Sequence, residues 1–187
     1  MSTAAAATTT PGLAAGNWNL DTVHSHVGFA VKHMVVATFR GRFEDYEGAL
    51  RVGEDGQPRL EGSVAVDSVA VKDENLAAHL ASPEFFDSQQ YPRISFSSTS
   101  VRALEDGTLE VAGDLSIKGE THPVLARGSI TAPHVDIAGN EKIGVELEAV
   151  IDRREYGLNW NAPLPKGGFA LENDVRLQVS LELVREG

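Results

Sequence analysis

The chain has 187 residues, 42% of them hydrophobic and 23% charged, which is the composition of one ordinary globular domain. Its formal net charge of -11 disfavours nucleic-acid binding, and it disfavours an anionic membrane surface unless the charge is locally uneven. The absence of cysteine excludes disulfides, iron–sulfur clusters, thiol catalysis and cysteine zinc sites.

The first residues, 1–16, are mostly small, with several threonines, a proline and two glycines. They contain no Lys or Arg and no run of large apolar residues, so the sequence predicts no secretory leader. We predict a disordered tail over 1–16, a single domain over 17–187 and a cytoplasmic location. The sequence contains no run of about 18 apolar residues, so it predicts no transmembrane segment.

Alternation of apolar and polar residues is the main signal after residue 17. The clearest case has Val175, Leu177, Val179, Leu181 and Leu183 on one face and polar residues between them. Such runs predict eight strands near 18–34, 41–52, 59–71, 93–102, 108–118, 122–131, 141–153 and 173–185. Turn residues separate them at short spacing, which favours an antiparallel meander. About eight strands can close into a barrel that holds one small ligand.

One segment departs from this alternation. Residues 73–81 place Leu76 and Leu80 four apart, which predicts a short helix. Ser82 as a cap and Pro83 as the next residue predict a second helical turn. We expect these turns to cover one mouth of the barrel.

His24 and His26 form the one short-range pair that suggests metal chemistry. Residues two apart on a strand face the same way, so both imidazoles can point at one ion. His33 lies on the opposite face by parity, with Val27, Phe29 and Val31, so a third ligand must come from elsewhere.

Motifs for other enzyme chemistry are missing. The sequence has no G-x-S-x-G elbow and no glycine-rich phosphate loop followed by Lys and Ser or Thr. We therefore predict that the chain is not an enzyme and needs no cofactor or metal.

The apolar face of the predicted strands is either a solid core or partly the wall of a cavity. Aromatic residues fall on strands or beside the helix, and small residues on inward faces are expected to leave space. The small residues are Gly113, Ala126, Gly128 and Ala149. A cavity of this kind holds a hydrocarbon chain through buried area alone.

Several motifs, in order along the chain, resemble the YceI-like, polyisoprenoid-binding family. They are Trp18-Asn19-Leu20-Asp21, His24-Ser25-His26-Val27-Gly28-Phe29, Val31-Lys32-His33-Met34, Phe39-Arg40-Gly41-Arg42-Phe43, His79-Leu80, Pro83-Glu84-Phe85-Phe86-Asp87, Tyr91-Pro92-Arg93-Ile94-Ser95-Phe96, Gly113-Asp114-Leu115-Ser116-Ile117-Lys118-Gly119, Thr121-His122-Pro123-Val124 and Arg153-Arg154-Glu155-Tyr156-Gly157-Leu158. In the last motif the family more often has Asp or Glu, then Phe, then Gly.

The resemblance implies an eight-stranded antiparallel, lipocalin-like barrel with a hydrophobic channel. It implies a long isoprenoid ligand, such as a polyprenyl phosphate or a quinone tail, and a homodimer. It implies that Phe29, Val31, Phe43, Phe96, Leu115 and Ile117 line the channel. Phe85 and Phe86 either close a mouth or pin the helical segment, and Trp160 and Phe169 of a late loop are further candidates for ligand contact. His33, Arg42 and Lys118 are the candidates for a polar head group.

Three functions stay open on the sequence alone. The first is a carrier, store or sensor of a polyisoprenoid or similar lipid. The second is a metal-dependent enzyme that uses His24 and His26. The third is an interaction module with a solid core and no ligand.

Overall fold

The computed structural model describes residues 13–187, which form an antiparallel β-barrel with one short helix. Its strands are β1 (Gly16–His33), β2 (Ala37–Phe43), β3 (Tyr46–Val52), β4 (Pro58–Ala65), β5 (Val69–Ala70), β6 (Arg93–Ala103), β7 (Leu109–Ile117), β8 (Glu120–Ile130), β9 (His134–Val135), β10 (Glu141–Asp152) and β11 (Leu171–Arg185). The helix α1 spans Glu74–Ala81, and 3-10 turns cover Val66–Ser68 and Arg153–Tyr156. Most of the predicted tail, residues 1–12, lies outside the described residues. Within the described part, no helix is long and apolar enough to span a membrane.

The barrel closes between its first and last strands. β1 pairs with β11 from Trp18 and Arg185 at one end to His33 and Leu171 at the other. On its other edge, β1 pairs first with β3 and then with β2, so those two act as one interrupted strand. β4 and β5 likewise continue one another. Counted in this way the barrel has eight strands, which confirms the prediction from the alternation.

The long first strand changes its inward parity half way along. Trp18 and Leu20 belong to the core at one end, whereas Val27 and Phe29 line the interior further on. An irregular stretch, residues 22–25, separates the two register segments with β11. The Tyr46 hydroxyl holds this bulge by donating to the carbonyl oxygens at positions 22 and 25, at 3.1 and 2.6 Å. The bulge therefore sets which aromatic side chains face inward in the second half.

The predicted helix is present and its start has a clear cause. The Asp73 carboxylate accepts a hydrogen bond from the Leu76 amide at 2.8 Å, which caps α1. The predicted second helical turn is wrong: Ser82 is the C-cap of α1, and its hydroxyl donates to the His79 carbonyl at 2.7 Å. Residues 83–86 form hydrogen-bonded turns instead.

Two clusters of buried side chains divide the barrel interior. The first fills the end that carries the β3–β4 and β6–β7 hairpins, and includes Trp18, Leu109, Val111, Ile143 and Leu183, none more than 2% exposed. The second packs α1 and the following turns against the opposite end, with Val66, Leu80, Phe85, Ile117, Tyr156 and Leu158 among its members. The site lies between these clusters.

Candidate functional site: a lidded apolar cavity

A cavity of about 420 Å³ occupies the barrel between the two clusters. Its wall draws on most of the strands, and Leu76, His79 and Leu80 of α1 belong to it, so the helix covers this end. The fully buried Trp18 and Val111 lie outside the wall, because the other end is packed solid. The cavity is larger than the ~300 Å³ at which ligand pockets begin, so a solid-core interaction module is not supported.

Ten of the residues that the sequence indicated for ligand binding lie on the cavity wall. They are Phe29, Val31, His33, Phe43, Phe85, Phe86, Phe96, Leu115, Ile117 and Trp160. Their contact with a ligand stays a prediction. Phe169, the other aromatic residue of the late loop, is 60% exposed and is not part of the wall.

Aromatic rings form a continuous chain along the lidded end. Phe29 of β1 contacts both Phe39 and Phe43 of β2, with ring centroids 6.1 and 5.9 Å apart. The chain continues from Phe43 to Phe86 at 6.5 Å, and from Phe86 to Phe85 at 6.4 Å.

The chain ends on the late loop and the helix. Phe85 contacts Trp160 at 5.6 Å, and the His79 ring stands edge-on to both, at 5.1 and 4.9 Å. Phe85 and Phe86 therefore pack against the helical segment and also line the cavity. Each residue thus has both of the roles that the sequence analysis offered as alternatives.

Glycines make room for the rings of Phe29 and Phe96 rather than for a ligand. A Cβ on Gly41 falls 2.4 Å from the Phe29 ring, and one on Gly113 falls 2.5 Å from the Phe96 ring. The expectation that Gly113 leaves space in the cavity is therefore wrong, because Phe96 fills that space. It is wrong for Gly128 as well, where a Cβ falls 1.8 Å from a backbone carbonyl oxygen of β10. Ala126 and Ala149 do line the cavity, as expected.

The three candidates for a polar head group have different positions. His33 lines the cavity and is exposed, so it lies at the rim. Arg42 is outside the wall and pairs with Glu44 at 3.1 Å. Lys118 is also outside the wall, and its ammonium donates to the Pro83 carbonyl at 2.7 Å.

Arg153 was not predicted as a site residue, yet it is the one lysine or arginine among the described residues of the wall. Arg153 is only 3% exposed, and burial lowers the pKa of its guanidinium, although the group stays charged. Its Nε donates to the Glu172 carbonyl at 2.9 Å, and its Nη1 donates to the carbonyls of Leu158 and Trp160, the latter at 2.8 Å.

A signal for Arg153 was present in the sequence. The inward positions of β10 run from Ile143 to Ile151 in steps of two, and the next step is Arg153. The adjacent Arg154 points outward and pairs with Asp152 at 2.5 Å, which lowers the pKa of that carboxyl to about 2.

The two histidines proposed for a metal do not come together. The His24 ring shares a hydrogen bond with the Asp21 carboxylate at 2.9 Å, and this bond raises the pKa of His24. His26 instead borders a separate groove beside Arg127 and Ser180. Among the described residues, a possible ligand group of three joins Asp21, His24 and Glu182 without His26.

Lys142 already forms ion pairs with that acidic group. The Lys142 ammonium lies 2.6 Å from a Glu182 oxygen, 3.6 Å from Asp21 and 3.4 Å from Asp136. The group is therefore part of an ion-pair network on the surface, in which Lys142 neutralises a share of the negative charge.

Comparison with known proteins agrees with this geometry. A family model of the YceI-like domain matches residues 18–183. A UPF0312 protein of Staphylococcus aureus strain USA300 is 30% identical over 172 residues, which are 89% of this chain and 96% of that protein.

Solved structures show the same fold. The crystal structure of Burkholderia cenocepacia BcnA matches with a TM-score of 0.72 and 18% identity, over 87% of this chain and 98% of that one. A polyisoprenoid binding domain from Saccharophagus degradans, implicated in plant cell wall breakdown, matches with a TM-score of 0.61 and 12% identity, over 90% and 98%.

A closed eight-stranded barrel, solid at one end and hollow beneath a helix at the other, defines a lipocalin-like binding barrel. Because the family model covers nearly the whole described chain, the protein belongs to the YceI-like family.

Proposed function

We propose that this protein binds a long isoprenoid-type lipid, such as a polyprenyl phosphate or a quinone, with the apolar tail inside the barrel. It acts as a carrier, store or sensor of that lipid rather than as an enzyme. The observation that carries the proposal is the apolar cavity with its chain of aromatic rings. The polyisoprenoid binding domain of the same fold supports it.

The shape of the cavity also suggests the orientation of the lipid. The first cluster fills one end, so a tail enters from the helix end and its head group stays near the rim. Arg153 and His33 lie on the wall there, and a buried guanidinium favours an anionic or strongly polar group. A homodimer and a cytoplasmic location stay predictions.

The proposal is tested by uptake of lipid. Purified protein is extracted with organic solvent and the extract is analysed by mass spectrometry, and protein without bound lipid is titrated with a polyprenyl phosphate and with a quinone. We expect a stoichiometric prenyl lipid in at least one of these measurements. An empty extract together with no uptake of either lipid contradicts the proposal.

A matched pair of variants on β10 separates the cavity from the outer surface. Ala149 lines the cavity, whereas its neighbour Val150 is 60% exposed on the outer face. We expect Ala149→Phe to fill the cavity and lower lipid affinity about tenfold or more, and Val150→Phe to leave it unchanged. Equal affinity in both variants, with both folded by circular dichroism, contradicts binding inside the barrel.

A further inference from the structure

Four exposed apolar side chains form a surface beside the cavity, which we call the rim patch: Met34, Val35, Val36 and Phe169. Val36 is 82% exposed and Phe169 is 60% exposed. Exposed large apolar residues clustered in this way mark a contact surface rather than chance exposure.

The rim patch adjoins the wall of the cavity. Its two loops are joined, because the Met34 amide donates to the Ala170 carbonyl at 2.8 Å. The residues just before Met34 and just after Ala170 are His33 and Leu171, which pair with each other and both line the cavity. The rim patch therefore continues the apolar wall onto the outer surface.

The turn that presents the rim patch is built from residues that are unsuitable for a turn. Met34 and Val35 have φ angles of 52° and 67°, in the left-handed region that glycine and asparagine prefer. A β-branched side chain is especially disfavoured there. This turn holds Met34, Val35 and Val36 with their apolar side chains exposed.

The two segments that carry the rim patch are basic, whereas the whole chain is acidic, and the acids that flank them along the chain include Glu44, Glu155 and Glu172. Residues 22–43 and 156–171 supply the two loops and their flanks, and contain no Asp or Glu, although the chain has 27 acidic residues. They contain Lys32, Arg40, Arg42 and Lys166. In the described part of the chain, an ion pair is found for Arg42 alone of these four.

We propose that the rim patch docks the protein onto an anionic lipid bilayer, with the mouth of the cavity against the membrane. Apolar side chains enter the boundary between head groups and acyl chains, and the cations beside them add attraction to anionic lipid. Docking gives a prenyl lipid a path between bilayer and barrel, and in that respect the inference rests on the proposed function.

The opposite end of the barrel supplies a control. Val135 and Ile137 are 70% and fully exposed, but Asp136 stands between them and Glu141 follows closely. An apolar surface among acids is repelled by anionic lipid. A change at Ile137 removes exposed apolar area without touching the rim patch.

The test is co-sedimentation with vesicles that contain no prenyl lipid, either an equimolar mixture of phosphatidylcholine and phosphatidylglycerol or phosphatidylcholine alone. We expect the wild type to bind the anionic vesicles, more weakly at high salt, and to bind the neutral vesicles poorly. The double variant Val36→Ser with Phe169→Ser should lower this affinity about tenfold or more. Ile137→Ser should leave it unchanged.

Three results overturn the docking proposal: no binding by the wild type, equal binding by the double variant, or a rim patch that holds two copies together. The third result applies if sedimentation velocity shows a dimer for the wild type and a monomer for the double variant, and the wild type does not bind vesicles.

Uptake of prenyl lipid delivered in detergent distinguishes this proposal from the proposed function. The double variant should take it up like the wild type, and a wild type that binds vesicles but takes up no lipid refutes the proposed function alone.

Discussion

Arg153 joins the loop between β10 and β11 to the barrel through one side chain. It follows the last inward residue of β10, and its guanidinium donates to carbonyls on both sides of the loop between β10 and β11. Buried carbonyls without donors destabilise a protein by about 1–3 kcal/mol each. The residue thus holds the loop that carries Trp160, and it is the one lysine or arginine among the described residues of the cavity wall.

Replacing Arg153 with Met tests this dual role. We expect Arg153→Met to lower the free energy of unfolding by about 3 kcal/mol, because three carbonyls lose their donor. Arg154→Met, which removes an exposed and solvent-screened ion pair from the next residue, should lower the free energy of unfolding far less. Urea denaturation measures both. Equal losses in the two variants would show that the buried contacts contribute little.

Among the strands, the close approach of β8 and β10 fixes the register of the barrel wall. Gly128 of β8 pairs with Leu147 of β10 and with Leu109 of β7, and the Glu146 carbonyl occupies the place of its missing side chain. A glycine is therefore required at a point where the sequence suggested free volume. The bulge of β1 has a comparable effect, because it selects which residues of the second half face inward.

Gly128→Ala should therefore disrupt the contact between β8 and β10, at a cost of about 2 kcal/mol or more in unfolding free energy. Gly144→Ala, on β10, is the matched control, because its Cβ meets only the Thr131 side chain at an ordinary 3.4 Å. Thermal denaturation of both variants makes the comparison. A Gly128→Ala protein as stable as the control contradicts the close contact between the two backbones.

The barrel as a whole has a solid half and a hollow half. The solid half contains the most completely buried side chains, such as Val111 and Leu183, whereas α1 covers the hollow half and buries only Leu80 of its own residues. We therefore expect the solid half to resist local opening more than the hollow half.

Amide hydrogen exchange should show this difference. We expect the amides of Val111 and Ile143 to exchange at the slowest rates and those of α1 to exchange much faster. Bound lipid should slow exchange in α1 selectively, since a ligand stabilises the closed form. Uniform protection across the barrel without lipid would contradict a division into two halves.

The eight strands, their inward faces, the helix at Glu74–Ala81 and a set of residues that line the cavity could all be predicted from the sequence. They follow from local periodicity, capping and motif resemblance, which a linear pattern contains. Only the folded barrel determined that the space beside Gly113 and Gly128 is filled, that His24 and His26 separate, and that Arg153 is buried against three carbonyls. It also brought residues 34–36 beside Phe169. These outcomes depend on contacts between segments far apart in the chain, whose distances are set by barrel closure and by the bulge of β1.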